Sequence, residues 1–182
     1  MIMTVAELKQ YIATDEAEQA LEARLQALEL LIRAYTNNNF QVRAVRCEAD
    51  VTGGLFVVEA LTPFAVGDTV QVTDSSLNAG LYTVKAVEDS TFTVKESGLR
   101  GEIDVLCTLV KYPANVKMGV INMLRWELDN RAKVGIASET ISRHSVTYFD
   151  MGKDNTEMGY PVSLLGFLRP YKRARFGQGV RV

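Results

Sequence analysis

The side chains with the clearest chemical character lie close to the C-terminal end of the sequence. No acidic residue follows Glu157, whereas five basic residues do, so this segment carries a charge of +5. Aromatic residues flank the basic ones in the run YKRARF, from Tyr171 to Phe176. Basic and aromatic side chains combined in this way anchor protein interfaces or contact a nucleic-acid backbone and its bases. We predict a docking arm whose contact residues are Leu168, Arg169, Pro170, Tyr171, Lys172, Arg173, Arg175 and Phe176.

A short helix should present this docking arm. The run from Pro161 to Arg169 is mostly apolar, begins with one proline and stops before another, Pro170. Proline fits the first turn of a helix but removes a hydrogen bond further along, so both prolines are consistent with a helix over 161–169. We expect the docking arm to stay mobile until it meets a partner, because its ordering then accompanies binding.

No arrangement of residues suggests catalysis. His144 is the only histidine, and the nucleophile motif Gly-x-Ser-x-Gly is absent. Gly152-Lys153 lacks the upstream glycine of a phosphate-binding loop, so it predicts no nucleotide site. The oxygen-bearing residues of the nearby loop do not have the spacing of a calcium loop; they are Asp150, Asp154, Asn155 and Glu157. We therefore predict that the protein is not an enzyme and holds neither a cofactor nor a metal ion.

The composition is that of a globular protein. The 182 residues, 47% of them hydrophobic and 23% charged, suffice for one domain or for a core with one small addition. The formal net charge of −2 argues against a nucleic-acid binder that uses its whole surface. Cys47 and Cys107 are too few for a disulfide framework, and two half-buried thiols are favoured over a bridge between them. The opening MIMTVAELKQYI lacks the pattern of a signal peptide, and no apolar run approaches the roughly 18 residues of a membrane span, so synthesis in a cytosol is expected.

Two helices are predicted at the N-terminal end. Thr4 and Glu7 have the spacing of a capping box, which predicts a helix from Val5 to about Ala13. Asp15 and Glu18 repeat this spacing before a longer helix.

The longer helix should span about 16–36 and end at Asn37-Asn38-Asn39, because asparagine tolerates the left-handed conformation that closes a helix. Leu30 and Leu31 widen its apolar stripe into a second contact face. The stripe itself consists of Leu21, Leu25, Leu28, Ile32 and Tyr35. The polar side is predicted to be solvated and carries Glu18, Glu22 and Arg33.

The region from 41 to 112 predicts an antiparallel β module. Turn-forming sequences separate runs rich in β-branched and aromatic residues, and Gly53-Gly54 is one such turn rather than part of a dinucleotide fingerprint. The expected strands are Leu55–Val58, Thr69–Thr73, Leu81–Val87, Thr91–Lys95 and Ile103–Val110. Strands spaced about ten residues apart are typical of a small barrel or sandwich.

Helical character returns after Pro113. Asn115 is a candidate N-cap for a helix that reaches about Lys133 and stops at Gly135. Its apolar side, which should pack on the helix over 16–36, consists of Val116, Val120, Met123, Leu124, Trp126 and Leu128. The alternation from Glu139 to Tyr148 predicts an extended or hairpin segment. The expected fold class is α+β, with a small helical bundle at 1–40 and 113–182 and an inserted antiparallel β-barrel or sandwich at 41–112.

Four segments, taken in their order along the chain, resemble the head-completion or head–tail connector (adaptor) proteins of long-tailed bacteriophages, the siphoviruses. They are AELKQYI, AYTNNNF, GVINMLRWELDNR with SETISRHSVTY after it, and YPVSLLGFLRPYKRARF. The likeness covers about 1–40 and 113–176, whereas the insert at 41–112 departs from the compact members of this family.

The resemblance implies a structural virion protein that assembles as a ring under the portal protein, in twelve copies set by portal symmetry. Such a ring extends the DNA channel and offers a surface to the next neck or stopper protein. Double-stranded DNA passes through it without specific binding, and no membrane is involved. The docking arm is expected to reach the portal, and the β module to lie outside the ring. The implied location is the head–tail junction of the virion, after synthesis in the host cytoplasm.

The alternative is a nucleic-acid-binding accessory protein that uses the basic tail. Lys172, Arg173 and Arg175, with the aromatic residues beside them, could follow a phosphate backbone. About three or four phosphate contacts give weak binding that falls steeply with salt, so ionic strength separates the two functions.

Overall fold

The protein has an α+β fold that combines a closed six-stranded antiparallel β-barrel with several helices. The computed structural model describes residues 1–130, 138–141, 144–147 and 155–174. The chain divides into two compact units. Met1–Ile2 and Asn38–Tyr112 form the barrel unit, and Met3–Asn37 and Pro113–Val182 form the helical unit.

The barrel unit is built from strands β1 to β6: Gln41–Thr52, Leu55–Val57, Thr69–Thr73, Gly80–Glu88, Thr91–Val94 and Glu102–Val110. Their order around the barrel is β1-β2-β5-β4-β3-β6, and antiparallel pairing of β6 with β1 closes it. Closure removes the unpaired edges that an open sheet would present. Of the two predicted forms, barrel and sandwich, the protein adopts the barrel.

Valine and phenylalanine side chains fill the barrel. Val70 and Val72 point inward from β3, as the period-two alternation predicts. The rings of Phe56 and Phe92 stack with centroids 4.6 Å apart, and Phe64 meets Phe92 edge-on at 5.3 Å. A shift of one residue in strand pairing would turn these side chains outward, so their burial specifies the register.

The longest strand, β1, is the one that the sequence did not single out. Its inward positions are Cys47, Ala49 and Val51, and the residues between them are exposed. Irregular pairing with β6 occurs between Gln41 and Arg46 and again between Ala49 and Val51. Bulges bend a strand and break its period-two pattern, which obscures the strand in the sequence.

Gly53 and Gly54 form the two-residue connection between β1 and β2. Their φ angles are 60° and 84°, and Thr52 pairs with Leu55 on either side of them. Two successive positive φ angles are the requirement of a type I′ turn, whose twist matches that of the flanking strands. The predicted glycine turn is therefore confirmed.

The helical unit contains helices α1 (Val5–Lys9), α2 (Glu18–Thr36) and α3 (Ala114–Asn130). The buried side of α2 includes Leu21, Leu25, Leu28 and Ile32, and that of α3 includes Val116, Val120, Met123 and Leu124. These stripes follow the helical period, as expected.

The helix starts differ in part from the prediction. Thr4 caps α1 as predicted, because its hydroxyl accepts a hydrogen bond of 3.1 Å from the Glu7 N–H. The predicted cap by Asp15 is wrong. Ala17 precedes α2 without a side-chain hydrogen bond, and the Thr14 hydroxyl instead accepts from the N–H before the helix, at Glu16.

Other boundaries also move. The α1 helix ends at Lys9 rather than near Ala13, and α3 begins at Ala114, so Asn115 lies inside it and is not its N-cap. The last residue of α3 is Asn130, and the predicted end over 131–135 lies outside the described residues.

The C-terminal end of α2 confirms one prediction and corrects another. Asn37 closes the helix in the left-handed conformation, with φ 49° and ψ 37°. Arg33, which was predicted to be solvated, is buried, and so is Glu29 one turn before it. Other parts of the chain therefore cover this side of α2 near its C-terminal end, whereas Glu18 and Glu22 are exposed, as predicted.

Two short hairpins complete the described part of the helical unit. Strands β7 (Ser138–Ile141) and β8 (His144–Thr147) pair antiparallel, which confirms the hairpin alternative. Strands β9 (Thr156–Glu157) and β10 (Tyr160–Pro161) pair across Met158 and Gly159, both at positive φ.

Candidate docking surface

A 3₁₀ helix, Val162–Tyr171, carries four of the predicted docking residues, which are Leu168, Arg169, Pro170 and Tyr171. It starts after Pro161, which belongs to β10, and it includes Pro170, whereas the prediction was a helix over 161–169 that stops before this proline. The buried residues Leu165 and Leu168 are three positions apart. Side chains at this spacing eclipse in a 3₁₀ helix, so they form one narrow apolar edge.

A glycine in α3 permits close approach of this 3₁₀ helix. The ring of Phe167 lies against Gly119, and a Cβ atom at Gly119 would overlap the ring. Glycine inside a helix is unfavourable by roughly 1 kcal/mol relative to alanine, so a close contact is a physical reason for its presence. A groove of about 370 Å³ adjoins this contact and is lined in part by Met118 and Ser163.

A buried polar network fixes the start of the 3₁₀ helix. The Tyr160 hydroxyl donates to Glu127 Oε2 at 2.6 Å, and Arg24 Nη1 donates to Glu127 Oε1 at 2.8 Å. Arg24 also binds both carboxylate oxygens of Glu16, at 3.1 and 3.0 Å. Glu127 is only 7% exposed. A buried charge is tolerated when it is paired and hydrogen-bonded, so this network ties α2, α3 and β10 together.

Side chains at the end of the 3₁₀ helix bind back to the helical unit. The Tyr171 hydroxyl donates to Asn115 Oδ1 at 2.7 Å. Lys172 Nζ lies 3.8 Å from the centroid of the Tyr35 ring, and the Tyr35 hydroxyl donates to Glu157 Oε2 at 2.7 Å. A cation over an exposed ring contributes about 0.5–1 kcal/mol. These contacts orient the side chains of Tyr171, the last residue of the 3₁₀ helix, and of Lys172, the residue after it.

The backbone after the 3₁₀ helix completes the end of α2. The Arg173 N–H donates to the Thr36 carbonyl at 2.8 Å, and Asn37 Nδ2 donates to the Ala174 carbonyl at 3.0 Å. The last carbonyls of a helix have no partner within the helix, and they form its negative end. The basic segment therefore lies where its charge is favourable.

The predicted contact residues have three different environments. Leu168 is fully buried in the helical unit, and Tyr171 is half-buried. Arg175 and Phe176 lie outside the described residues. The exposed members, which we call the basic docking surface, are Arg169, Pro170, Lys172 and Arg173.

The predicted mobility of the docking arm does not describe the segment up to Ala174. The contacts of Tyr171, Lys172 and Arg173 hold this segment against α2 and α3. The sequence did not indicate their partners Tyr35 and Asn115. Gly119 alone carried a usable signal, because a glycine within a helical pattern often marks a close packing contact.

The basic docking surface carries the positive charges of Arg169, Lys172 and Arg173, all of which are exposed. Within the described ranges, no carboxylate forms an ion pair with Arg169, Lys172 or Arg173. Exposed charges of one sign steer a partner of opposite charge and lose this effect as salt rises.

The described part of the chain offers no arrangement for metal binding. No group of three or more His, Cys, Asp and Glu side chains is placed there to hold an ion. Glu157, one of the oxygen-bearing residues noted in the sequence, accepts the hydrogen bond from Tyr35 instead. Asp150 and Asp154 lie outside the described residues, and His144 pairs with Ile141 through the backbone of the β7–β8 hairpin.

The function has to be inferred from the docking surface described above, because comparison with known proteins does not indicate one. No model of a known protein family matches the sequence, and no curated protein matches it at a significant level. Among the described helices, none has both the length and the apolar character needed to cross a membrane. The basic docking surface is the feature that best supports a function.

Proposed function

We propose that the protein is a structural component of long-tailed bacteriophages, a head–tail connector or adaptor that docks onto the portal protein. In this role it assembles as a ring of twelve copies, extends the DNA channel and offers a surface to the next neck or stopper protein. Double-stranded DNA passes through the ring without specific binding. The protein acts at the head–tail junction of the virion after synthesis in the host cytoplasm, without catalysis, a cofactor or a membrane.

The observation that carries this proposal is the basic docking surface at the end of the 3₁₀ helix. Arg169, Lys172 and Arg173 are exposed and have no carboxylate partner among the described residues. Arginine and aromatic residues are frequent anchors of protein interfaces. A surface that is ordered before binding loses less conformational freedom than a mobile arm, which favours tight docking. The proposal therefore predicts an acidic surface on the portal protein, opposite Arg169, Lys172 and Arg173.

The division of the chain supports a connector-like bundle with an inserted β module. Residues 3–37 and 113–182 belong to one compact unit, although most of the other unit, 38–112, lies between them in sequence. We place the inserted module on the outside of the proposed ring, where it leaves the DNA channel open.

A ring subunit also needs lateral faces, and α2 offers one. Leu30 is 61% exposed and Leu31 is half-buried. Burying an exposed leucine side chain contributes about 1.5–3 kcal/mol. We assign this edge of α2 to contact with the neighbouring copy.

Charge reversal tests portal docking more cleanly than truncation, because truncation at Phe167 removes the buried Leu168. The test variant is Arg169→Glu, Lys172→Glu and Arg173→Glu combined. Tagged protein captures partners from infected-cell lysate, and portal protein is identified by mass spectrometry. We expect portal capture to fall by about tenfold or more, because like charges then face each other.

The matched control combines Arg43→Glu, Lys85→Glu and Lys95→Glu in the barrel unit, where all three residues are exposed. It changes the net charge by the same amount and should capture portal as wild type does. Equal capture by both triple variants, or no portal with the wild type, overturns the proposal.

The basic docking surface also supports the second candidate, a nucleic-acid-binding accessory protein. Phosphate contacts lower the logarithm of the binding constant by about 0.9 per contact for each tenfold rise in salt. Binding of double-stranded DNA, measured over a range of salt, therefore discriminates. A slope of about −3 with loss in the test variant supports nucleic-acid binding, whereas the connector function predicts no retained DNA at physiological salt.

A further inference from the structure

The two cysteines of the barrel unit face each other across the strands that close the barrel. Cys47 on β1 is the direct pairing partner of Cys107 on β6, so the two side chains lie on the same face of the paired strands. Residues directly opposite in antiparallel strands have Cα atoms about 4.5 or 5.5 Å apart. A disulfide needs a Cα separation of about 4.4–6.8 Å, so the separation of directly paired residues is compatible with a bridge.

The two thiols differ in their access to solvent. Cys107 is completely buried. Cys47 is half-buried and lines a groove of about 510 Å³ on the barrel unit, beside Arg46 and Glu48. Cys47 is therefore the more accessible of the two thiols.

We propose that Cys47 and Cys107 form a redox modification site, at which a low-molecular-weight disulfide of the glutathione type converts the two thiols into a cross-strand bridge. The proposal is independent of the connector function. The sequence alone favoured two free thiols. The proposal differs because the fold places the two cysteines in direct cross-strand pairing, which the sequence did not show. Within the described residues, no third metal ligand accompanies them.

The reaction proceeds by two thiol–disulfide exchanges. The Cys47 thiolate attacks oxidised glutathione, which forms a mixed disulfide and releases one glutathione thiolate. Cys107 then loses its proton, and its sulfur attacks Cys47 Sγ and displaces the second glutathione. Two protein thiols are oxidised, one glutathione disulfide is reduced to two thiols, and the protein protons pass to the leaving thiolates.

The unequal burial of the two thiols assigns their order of reaction, with Cys47 the more accessible one. Interaction with Cys107 lowers the pKa of Cys47, whereas interaction with Cys47 and burial raise the pKa of Cys107. The thiolate is the attacking species, so the more accessible Cys47 is also the better nucleophile. Cys107 resolves the mixed disulfide.

The test uses the purified full-length protein, incubated with oxidised glutathione, alkylated and digested for peptide mass spectrometry. The wild type should yield a peptide pair joined through Cys47 and Cys107. Cys107→Ser should stop at the mixed disulfide of Cys47, because no resolving thiol remains. Cys47→Ser should stay unmodified, because Cys107 is buried. Circular dichroism before oxidation checks that each variant is folded.

Thermal unfolding supplies a second readout. The bridge restricts the unfolded barrel, so oxidation should raise the Tm of the wild type by about 5 °C or more, reversibly with dithiothreitol. Neither variant should show this rise. A wild type that keeps two alkylatable thiols, stops at glutathionylated Cys47 or bridges only between chains overturns the proposal, even if a variant fails to fold.

Discussion

The carboxylate of Glu102 accepts hydrogen bonds from most residues of the loop that connects β3 to β4. The Ser75 hydroxyl, the N–H groups of Ser76 and Leu77, and the Asn78 amide all donate to its carboxylate, over 2.5 to 3.3 Å. These bonds, that of Ser75 foremost, lower the pKa of Glu102 to about 2, from an ordinary value of 4.5. Folding therefore favours the ionised carboxylate.

This shift predicts a defined pH dependence for Glu102→Gln. A lowered pKa adds stability that is fully present above about 4.5 and is lost as pH falls through about 2. The variant should have a lower Tm than the wild type at neutral pH, and the difference should shrink over that acid range. Circular dichroism melts at several pH values measure the Tm difference between the wild type and the variant. A difference that stays constant from pH 7 to 2 contradicts the prediction.

The contact between Gly119 and Phe167 gives a second prediction for a single residue. Alanine is the better helix former, but its methyl group would overlap the Phe167 ring. Gly119→Ala should therefore destabilise the protein by about 1–3 kcal/mol, as overpacking does. Urea unfolding measures this loss.

The Phe167→Ala background is the matched control for that substitution. Without the ring, Gly119→Ala should become neutral or stabilising, because only the propensity difference remains. The same destabilisation in both backgrounds would show that the ring is not its cause.

Among the elements, α2, α3 and β10 depend on the network of Arg24, Glu127 and Tyr160. Tyr160→Phe removes the hydroxyl that donates to the buried Glu127 carboxylate at 2.6 Å. We expect a loss of about 1.5–3 kcal/mol, the usual contribution of a hydrogen bond to a charged group. Chemical denaturation measures it.

A double-mutant cycle with Glu127→Gln separates this bond from other effects of losing the hydroxyl. If the bond carries the loss, the two substitutions should be strongly non-additive. Additive effects would mean that Tyr160 stabilises the protein in another way.

For the docking surface, the sequence predicted the approximate position of the helix but neither its 3₁₀ form nor its packing. Its approximate position, its two prolines and the basic residues after it are visible in the sequence. Its 3₁₀ form and the burial of Leu168 are not visible in the sequence. The same holds for the contact of Phe167 with Gly119, which lies about fifty positions away in α3. The partners Tyr35 and Asn115 are also far in sequence from the segment that they hold.

For the whole molecule, the proposed ring predicts an effect of Leu30→Glu. This residue is exposed, so the substitution should leave the fold and its Tm unchanged. A carboxylate in an apolar contact between copies is costly to bury, so self-association should weaken by about tenfold or more in sedimentation velocity at increasing concentration.

Leu61→Glu is the control, because Leu61 is also exposed but belongs to the barrel unit. It should associate as the wild type does. If Leu30→Glu and the wild type have the same concentration dependence, the assigned edge of α2 is not a lateral contact.

Local sequence signals were sufficient for the α+β class, most barrel strands, the Gly53-Gly54 turn and the caps at Thr4 and Asn37. Each depends on residues a few positions apart, whose alternation or backbone preference acts within one element. Barrel closure, the burial of Arg33 and the pairing of Cys47 with Cys107 required the folded chain. Their free energies come from packing between segments far apart in sequence, and no local propensity specifies which segments will meet.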